Sequence, residues 1–314
     1  MMYQNILVPL DGSDFAERAI PMALSIAERT GGSVQLVSAV PTLPPLVPSA
    51  ESEGPVQGWF EEERLRASEY LDGVQERLQG RTKVEVHIRV VSGDPVQALE
   101  ERVRKTGADA IVMTTHGKGL VERVWLGSVA DGLVRRAPCP VLLQRLDDDD
   151  VEVDLDARPG LTRILVPLDG SAASREVVAD AVALASAFDA QISLVRIVAD
   201  GLPIGSTYIP HAAEEERERA EAVREAREDL DRTESKIRDQ GVTVEVAIVQ
   251  DDDPGAGILR HRGDIGADLV AMTTRGRGGV TRLVLGSVAD RVIRAGVVPV
   301  LVHRRGDERA DGHA

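Results

Sequence analysis

The sequence predicts an α/β protein of two tandem domains, each a parallel five-stranded sheet with helices on both faces. The first observation is the length of 314 residues, which suits two domains of ordinary size. The second is an internal repeat, since residues 6–13 recur unchanged as 164–171 and residues 113–143 match 272–302 at 17 of 31 positions. The third is an alternation of apolar runs with helical patterns, which is typical of β-α-β units.

Local patterns identify each element of the first copy. Short apolar runs mark the first and fourth strands as buried, whereas the third strand alternates apolar and polar residues. The first helical pattern begins at Ser13 and stops at the pair Gly31-Gly32. The predicted strands are residues 5–10, 33–40, 83–91, 108–114 and 140–144. The predicted helices are residues 13–27, 59–78, 94–106 and 127–136.

The second copy repeats this alternation and contains a long, highly charged helix over residues 212–240. Its predicted strands lie near residues 163–168, 191–198, 242–249, 268–273 and 298–303. Ligands of such sheets bind outside the carboxyl ends of the strands. The loops after the first, second and fourth strands of each copy should therefore meet at one site.

Composition excludes several classes of protein. The chain has 37 basic and 52 acidic residues, and its net charge of −15 argues against binding to nucleic acid or to anionic lipid. It has no run of 18 apolar residues and no signal-peptide pattern at its start, so we expect no membrane span and a cytoplasmic location. One cysteine, Cys139, excludes an internal disulfide and a multi-cysteine metal site, and we expect no metal site.

An acidic stretch separates the two copies. It begins with four consecutive aspartates at residues 147–150 and ends at Arg158-Pro159-Gly160. Such a run repels itself and gains little from packing, so it is typical of a linker. The predicted organisation is a first domain at residues 1–146, a linker at 147–160, a second domain at 161–305 and a flexible tail at 306–314.

A glycine-rich loop with the spacing Gly-x9-Gly-Ser follows the fourth strand of each copy. Glycines allow close approach of the backbone to a ligand, and the free N–H groups of a helix N-terminus favour an anion. The serine hydroxyl adds a donor, and basic residues add positive charge nearby. The pattern predicts a phosphate-binding loop formed by His116, Gly117, Lys118, Gly127 and Ser128, and by Arg275, Gly276, Arg277, Gly286 and Ser287.

Structural roles are open for the same residues. Ser128 precedes Asp131 by three positions, and Ser287 precedes Asp290 in the same way, so both serines are also explained as helix caps. An aspartate follows each first strand, Asp11 in one copy and its counterpart in the other. It could accept a hydrogen bond from a ribose hydroxyl or an adenine amino group, or it could close the turn with its own backbone.

These motifs together resemble those of a tandem universal stress protein. Each copy begins with Ile-Leu-Val-Pro-Leu-Asp-Gly-Ser, and later contains Thr-His-Gly or Thr-Arg-Gly and then Gly-Ser-Val-Ala-Asp. The resemblance covers the chain except for the linker and the tail. It implies Rossmann-like domains of the adenine nucleotide α-hydrolase type with strand order 3-2-1-4-5. It also implies antiparallel pairing of the two last strands, around Val141 and Val300. Association of two chains into a homodimer is compatible with the resemblance.

The resemblance implies ATP as a bound ligand, with or without Mg²⁺, in each copy. The ATP-binding branch of the family has Gly-x2-Gly-x9-Gly-Ser/Thr, and Thr114 and Thr273 stand at the first glycine position here. Carried over position by position, the nucleotide contacts of the first copy are Pro9, Leu10, Asp11, Ala39, Val112 and Met113, with Val129 on the phosphates. Those of the second copy are Pro167, Leu168, Asp169, Ile197, Ala271 and Met272, with Val288 on the phosphates.

The expected function is therefore that of a stress-associated regulatory protein with two nucleotide sites and no catalytic residues. One alternative is a slow ATP hydrolase. The chain lacks a Walker A motif, and His116 of the first copy is Arg275 in the second, which argues against a general base there. The other alternative is an interaction or scaffold module that binds no nucleotide.

Overall fold

The structure is a computed structural model that describes most of the chain. The described residues are 2–42, 53–115, 126–144, 153–200, 212–274, 285–295 and 297–304. The chain divides into two compact units, Met1–Gly160 (unit 1) and Leu161–Ala314 (unit 2). Each unit is described by itself below.

Unit 1 is a parallel sheet in the order β3-β2-β1-β4-β5. This confirms the predicted architecture and strand order. The strands are β1 Asn5–Pro9, β2 Ser33–Val40, β3 Glu85–Ser92, β4 Ala110–Thr114 and β5 Val141–Gln144. The helices are α1 Asp14–Glu17, α2 Ile20–Thr30, α3 Glu53–Leu78, α4 Pro95–Thr106 and α5 Ser128–Arg136.

Unit 2 repeats the same arrangement, with the parallel order β8-β7-β6-β9-β10. Its strands are β6 Arg163–Pro167, β7 Gln191–Val198, β8 Val244–Gln250, β9 Leu269–Thr273 and β10 Val300–His303. Its helices are α6 Ala172–Arg175, α7 Val178–Phe188, α8 Ala212–Arg238, α9 Pro254–Ile265 and α10 Ser287–Ala295.

The core of each unit lies around its two central strands. In β1 and β4 of unit 1, Leu7 and Ile111 are fully buried and stand opposite each other in register. Leu165 and Val270 take the same places in β6 and β9 of unit 2. Burial of such aliphatic side chains supplies the main favourable term in folding. Within the described ranges, no helix combines the length and apolar character that a membrane crossing requires.

The helix predicted over residues 13–27 is divided in two in the structure. Ser13 caps the single-turn α1, and α2 begins only at Ile20 and ends at Gly31, whose φ of 70° suits a left-handed helix cap. The same break separates α6 from α7 in unit 2. The apolar spacing continues through the break, so periodicity alone predicts one helix.

The last residues of the predicted linker pack onto unit 1. Leu155 is buried, and the Ser25 hydroxyl donates to the carbonyl oxygen of Pro159 at 2.7 Å. The Arg158 guanidinium donates to Glu28 at 2.8 Å. Residues 153–160 are thus held by apolar and polar contacts, which the acidic composition of the stretch does not indicate.

Candidate functional site

The predicted site residues that the structure describes lie towards one edge of each sheet. Strands β1, β2 and β4 are neighbours and parallel, so their carboxyl ends share an edge. In unit 1 this edge holds Asp11 after β1, the half-buried Ala39 near the end of β2, and Thr114 at the end of β4. In unit 2 the corresponding residues are Asp169, Ile197 and Thr273.

The Asp-Gly-Ser turn of unit 1 is closed by its own side chains. The backbone N–H and the hydroxyl of Ser13 both donate to Asp11 Oδ1, at 3.1 and 2.6 Å. The Ser13 hydroxyl in turn accepts from the N–H of Ala16 at 3.1 Å and so caps α1. Gly12 has a φ of +84°, which glycine adopts without strain. The structural role left open by the sequence is therefore present.

Unit 2 closes its turn in nearly the same way. The N–H of Ser171 donates to Asp169 Oδ1 at 2.9 Å, and the Ser171 hydroxyl accepts from the N–H of Ser174 at 3.0 Å. Gly170 has a φ of +88°. An ionised carboxylate has about four acceptor positions, so a turn of this kind does not use up the capacity of the aspartate.

The glycine loop of each unit is closed at its base by one backbone hydrogen bond. In unit 1 the N–H of Gly127 donates to the carbonyl oxygen of Thr115 at 2.7 Å. In unit 2 the N–H of Gly286 donates to the carbonyl oxygen of Thr274 at 2.8 Å. The start of the helix after the loop is thereby held beside the end of the fourth strand. Residues 116–125 and 275–284 lie between these points and outside the described residues.

The two motif serines are not helix caps. Gly127 is the N-cap of α5, its carbonyl oxygen accepts the first helical bond from Asp131 at 2.9 Å, and Ser128 is the first residue inside the helix. In unit 2 the Gly286 carbonyl oxygen accepts from the N–H of Asp290 in the same way. Asp131 pairs with Arg135 four residues on, at 2.7 Å, and does not complete a capping box. The hydroxyls of Ser128 and Ser287 are on exposed residues at the helix start.

The other predicted residues divide into accessible and buried ones. Pro9, Pro167, Val129 and Val288 are partly exposed at the edge. The side chains of Leu10, Leu168, Val112, Ala271, Met113 and Met272 are buried in the core, so contacts from these positions would come mainly from the backbone. The basic and glycine residues His116, Gly117, Lys118, Arg275, Gly276 and Arg277 lie outside the described residues.

An ion pair packs beneath the turn of unit 1. Arg77 of α3 donates through Nη2 to both carboxylate oxygens of Glu17, at 2.7 and 2.8 Å, and the Glu17 side chain is only 2% exposed. This hydrogen bonding raises the pKa of Arg77. Burial, and next the charge of Glu17, raise the pKa of Tyr70 beside the pair. Both α3 residues are therefore held in their ordinary protonation states at neutral pH.

Unit 2 has the reverse charges at this place. Arg175 of α6 donates to Asp229 Oδ1 of α8 at 3.0 Å, and Arg196 of β7 donates to Asp229 Oδ2 at 3.0 Å. Neither cluster follows from the repeated motifs, because motifs show only what the two copies share. An alignment of the two copies gives a signal for these clusters, because it shows positions where the charge differs. Glu17, for example, is aligned with Arg175 of unit 2.

Comparisons with known proteins match the whole chain. A family model described as "Universal stress protein family" matches residues 2–145 and 160–304. A universal stress protein of Mycobacterium tuberculosis is 30% identical over 315 residues, covering 96% of this chain and 97% of that protein. One of Methanocaldococcus jannaschii is 32% identical over 143 residues, covering 45% of this chain and 82% of that protein. A crystal structure of a universal stress protein from Archaeoglobus fulgidus has a similar fold, with a TM-score of 0.67, 21% identity and 98% of each chain covered.

Proposed function

This chain belongs to the universal stress protein family, and from that membership we propose that it is a stress-associated regulatory protein whose two units each bind ATP. The phosphates would lie at the starts of α5 and α10. The adenosine would lie along the edge formed by the Asp-Gly-Ser turn and the end of the second strand. We also assign phosphate contacts to the residues of the two glycine loops, and this assignment is based on the sequence motif alone.

One observation carries the proposal, namely the bond that closes each glycine loop. The hydrogen bonds from Gly127 to Thr115 and from Gly286 to Thr274 hold two helix starts at the same place in two units. The first N–H groups of a helix have no partner within it and, with the helix dipole, attract an anion. The exposed hydroxyls of Ser128 and Ser287 stand at these starts and can donate to a phosphate oxygen.

The test uses a carboxylate at the helix start as a competitor for the phosphate. Isothermal titration calorimetry of the full chain with Mg²⁺ and ATP should detect two bound nucleotides per chain. Ser128→Glu and Ser287→Glu should each remove one of them, with a loss of affinity of about tenfold or more, because like charges repel at close range. The double variant should bind none.

A matched control separates repulsion of the ligand from damage to the fold. Gln97 is exposed in the first turn of α4, so Gln97→Glu adds the same charge to another helix start of unit 1. It should leave both binding events intact. All three variants should keep or slightly raise the melting temperature, because a carboxylate in the first helical turn stabilises a helix by about 0.3–1 kcal/mol. Absence of ATP binding by the folded wild-type protein would overturn the proposal and favour an interaction module that binds no nucleotide.

Phosphate release during the same incubation distinguishes a binding protein from a slow ATP hydrolase. We expect the bound ATP to remain intact over many times the lifetime of the complex. Turnover that disappears in the Ser128→Glu and Ser287→Glu double variant would assign a hydrolase activity to these sites.

A further inference from the structure

A cluster of three arginines lies beside the Asp-Gly-Ser turn of unit 2. The Arg175 guanidinium donates to the carbonyl oxygen of Gly170 at 3.1 Å and to Asp229 at 3.0 Å. Arg196 donates to the same carboxylate at 3.0 Å, and Arg232 lies 3.5 Å from it. The guanidinium groups of Arg175, Arg196 and Arg232 thus meet at the carboxylate of Asp229.

Among the residues of unit 1 that the structure describes, no such arginine cluster lies beside the equivalent turn. Aligned with the second copy, its residues at the positions of Arg175, Arg196, Asp229 and Arg232 are Glu17, Ser38, Tyr70 and Gly73. The carboxylate of Glu17 is matched by a single guanidinium, that of Arg77. The two nucleotide sites of the proposed function therefore differ in charge on the side of the turn.

Arg196 rests directly against the turn of unit 2. A Cβ atom placed on Gly170 would lie 2.7 Å from Arg196 Nη1, whereas a Cβ atom on Gly12 of unit 1 would meet no atom of the described residues within 4 Å. The Arg196 side chain is 8% exposed, so its charge is weakly screened by water. Unit 2 therefore holds a cation against its turn, and the described part of unit 1 has none in contact with Gly12.

A cleft leads from this cation along the adenosine side of the site. It has a volume of about 710 Å³ and is lined by Gly170, Arg196 and Ile197 on the sheet side and by α8 on the other. Ile197 is one of the proposed adenosine contacts, and Gly170 directly follows another, Asp169. Three exposed carboxylates of α8, those of Glu218, Glu225 and Glu228, also line the cleft. Exposed charges act in a high dielectric, so Arg196 and its partner Asp229, with the neighbouring Arg232, determine the charge of the inner wall.

We propose that unit 2 selects adenine nucleotides that carry a second phosphate on the ribose, and that Arg196 determines this selectivity. The proposal rests on the proposed function and deepens it for one of the two sites. In Rossmann-type domains a carboxylate near the second strand binds free ribose hydroxyls, whereas an arginine there accommodates a ribose phosphate. Arg196 lies near the end of the second strand of its unit, and a guanidinium matches phosphate oxygens in geometry and charge. Unit 1, with Ser38 at this position, would accept unsubstituted ribose only.

The test measures each site in a full chain whose other site is blocked. The Ser128→Glu background reports unit 2, and the Ser287→Glu background reports unit 1. Calorimetry with AMP, adenosine 2′,5′-bisphosphate and adenosine 3′,5′-bisphosphate gives the preference for a ribose phosphate as a ratio of dissociation constants. We expect one of the bisphosphates to bind unit 2 about tenfold more tightly than AMP, the range of one charge-assisted contact. The ratio in unit 1 should be about one or lower.

Arg196→Ser, which copies unit 1, should bring the ratio of unit 2 down to that of unit 1 while AMP still binds. Arg227→Gln is the matched control, because Arg227 is an exposed cation of α8 that does not line the cleft. It should leave the ratio unchanged. If Arg196→Ser lowers the melting temperature strongly, Arg232→Gln serves in its place and should lower the ratio in the same direction.

Two results would overturn the inference. Equal ratios in the two units would do so, and so would a ratio in unit 2 that survives both Arg196→Ser and Arg232→Gln. In either case ATP and AMP would still bind, so the proposed function would stand. Failure of every nucleotide, ATP included, to bind the folded wild-type chain would instead overturn the proposed function and this inference with it.

Discussion

The pair formed by Glu17 and Arg77 is unequal in its exposure to water. The Glu17 side chain is 2% exposed, whereas that of Arg77 is 49% exposed. A charge left without its partner costs most where water cannot reach it. The two halves of this ion pair should therefore contribute differently to stability when each is removed alone.

We expect Arg77→Met to lower the free energy of unfolding by about 2–3 kcal/mol, because it leaves the Glu17 carboxylate buried and unpaired. Glu17→Gln should cost only about 1 kcal/mol, since Arg77 can turn to water. Urea denaturation measures both. Arg66→Met is the control, because Arg66 is an exposed residue of the same helix with exposed partners, and it should change stability by less than about 0.5 kcal/mol. Equal costs for the two halves of the pair would contradict this account.

At the scale of elements, one aspartate in each unit joins the end of a helix to the start of the first strand. Asp268, which follows α9, accepts from the N–H and the hydroxyl of Thr162, both at 2.6 Å, and from the N–H of Arg163 at 2.9 Å. Asp109 of unit 1 accepts from the N–H of Gln4 at 2.8 Å in the same position. Burial raises the pKa of Asp268, but these hydrogen bonds and the charge of Arg163 outweigh it, and the pKa is lowered.

The lowered pKa predicts how Asp268 affects stability at different pH. A carboxyl group with a lower pKa in the folded state stabilises the protein above its unfolded value, about 3.9, and this stability is lost as the pH falls through the folded value. Asp268→Asn should therefore be less stable than the wild type at neutral pH, and the difference should shrink below about pH 4. Urea denaturation across this range measures it, with the exposed Asp239→Asn as control. A difference that stays constant down to pH 2 would contradict the prediction.

The sequence predicts the strands better than the helices. Each predicted strand end lies within two residues of the observed one, because buried strands are short apolar runs with clear limits. Helix α3 begins at Glu53, earlier than the predicted residue 59, and α1 and α2 are separate. At the candidate site, the Asp-Gly-Ser turn and the helix start after the glycine loop lie close to strand ends. The sequence motifs that contain them therefore predict their positions in the fold. Pairs such as Glu17 and Arg77, 60 residues apart, depend on how α3 packs on the sheet, which no local pattern records.

At the scale of the whole molecule, the two units share one fold and differ in the charges that hold their long helices. The net charge of −15 predicts a surface that avoids nucleic acid, yet it does not describe the local charge at either turn. Repeated domains in one chain can exchange matching segments while they fold. The different charges disfavour such exchange, because α8 on unit 1 would bring Asp229 to the position of Tyr70, beside the Glu17 carboxylate.

Removing this difference should therefore increase misassembly. The triple variant Arg175→Glu, Arg196→Ser, Asp229→Arg puts an acidic residue on α6 and a basic residue on α8, as Glu17 on α1 and Arg77 on α3 are in unit 1. After refolding at high protein concentration, size-exclusion chromatography should find a larger oligomeric fraction than for the wild type. The control reverses an exposed pair of the same helix, Arg227→Asp with Asp231→Arg, and should refold like the wild type. Equal oligomeric fractions in the triple variant and the control would show that the reversal has no such role.

The reversed ion pair also limits how the two halves of the chain can be recombined. A chimaera with α3 in place of α8 would put Tyr70 at the position of Asp229 and remove the carboxylate that pairs with Arg175 and Arg196. Genetic crossover between the repeats would thus produce chains with unmatched buried charge, even where the joined segments are similar in sequence. The duplicated halves are no longer interchangeable parts, and each long helix has become specific for its own sheet.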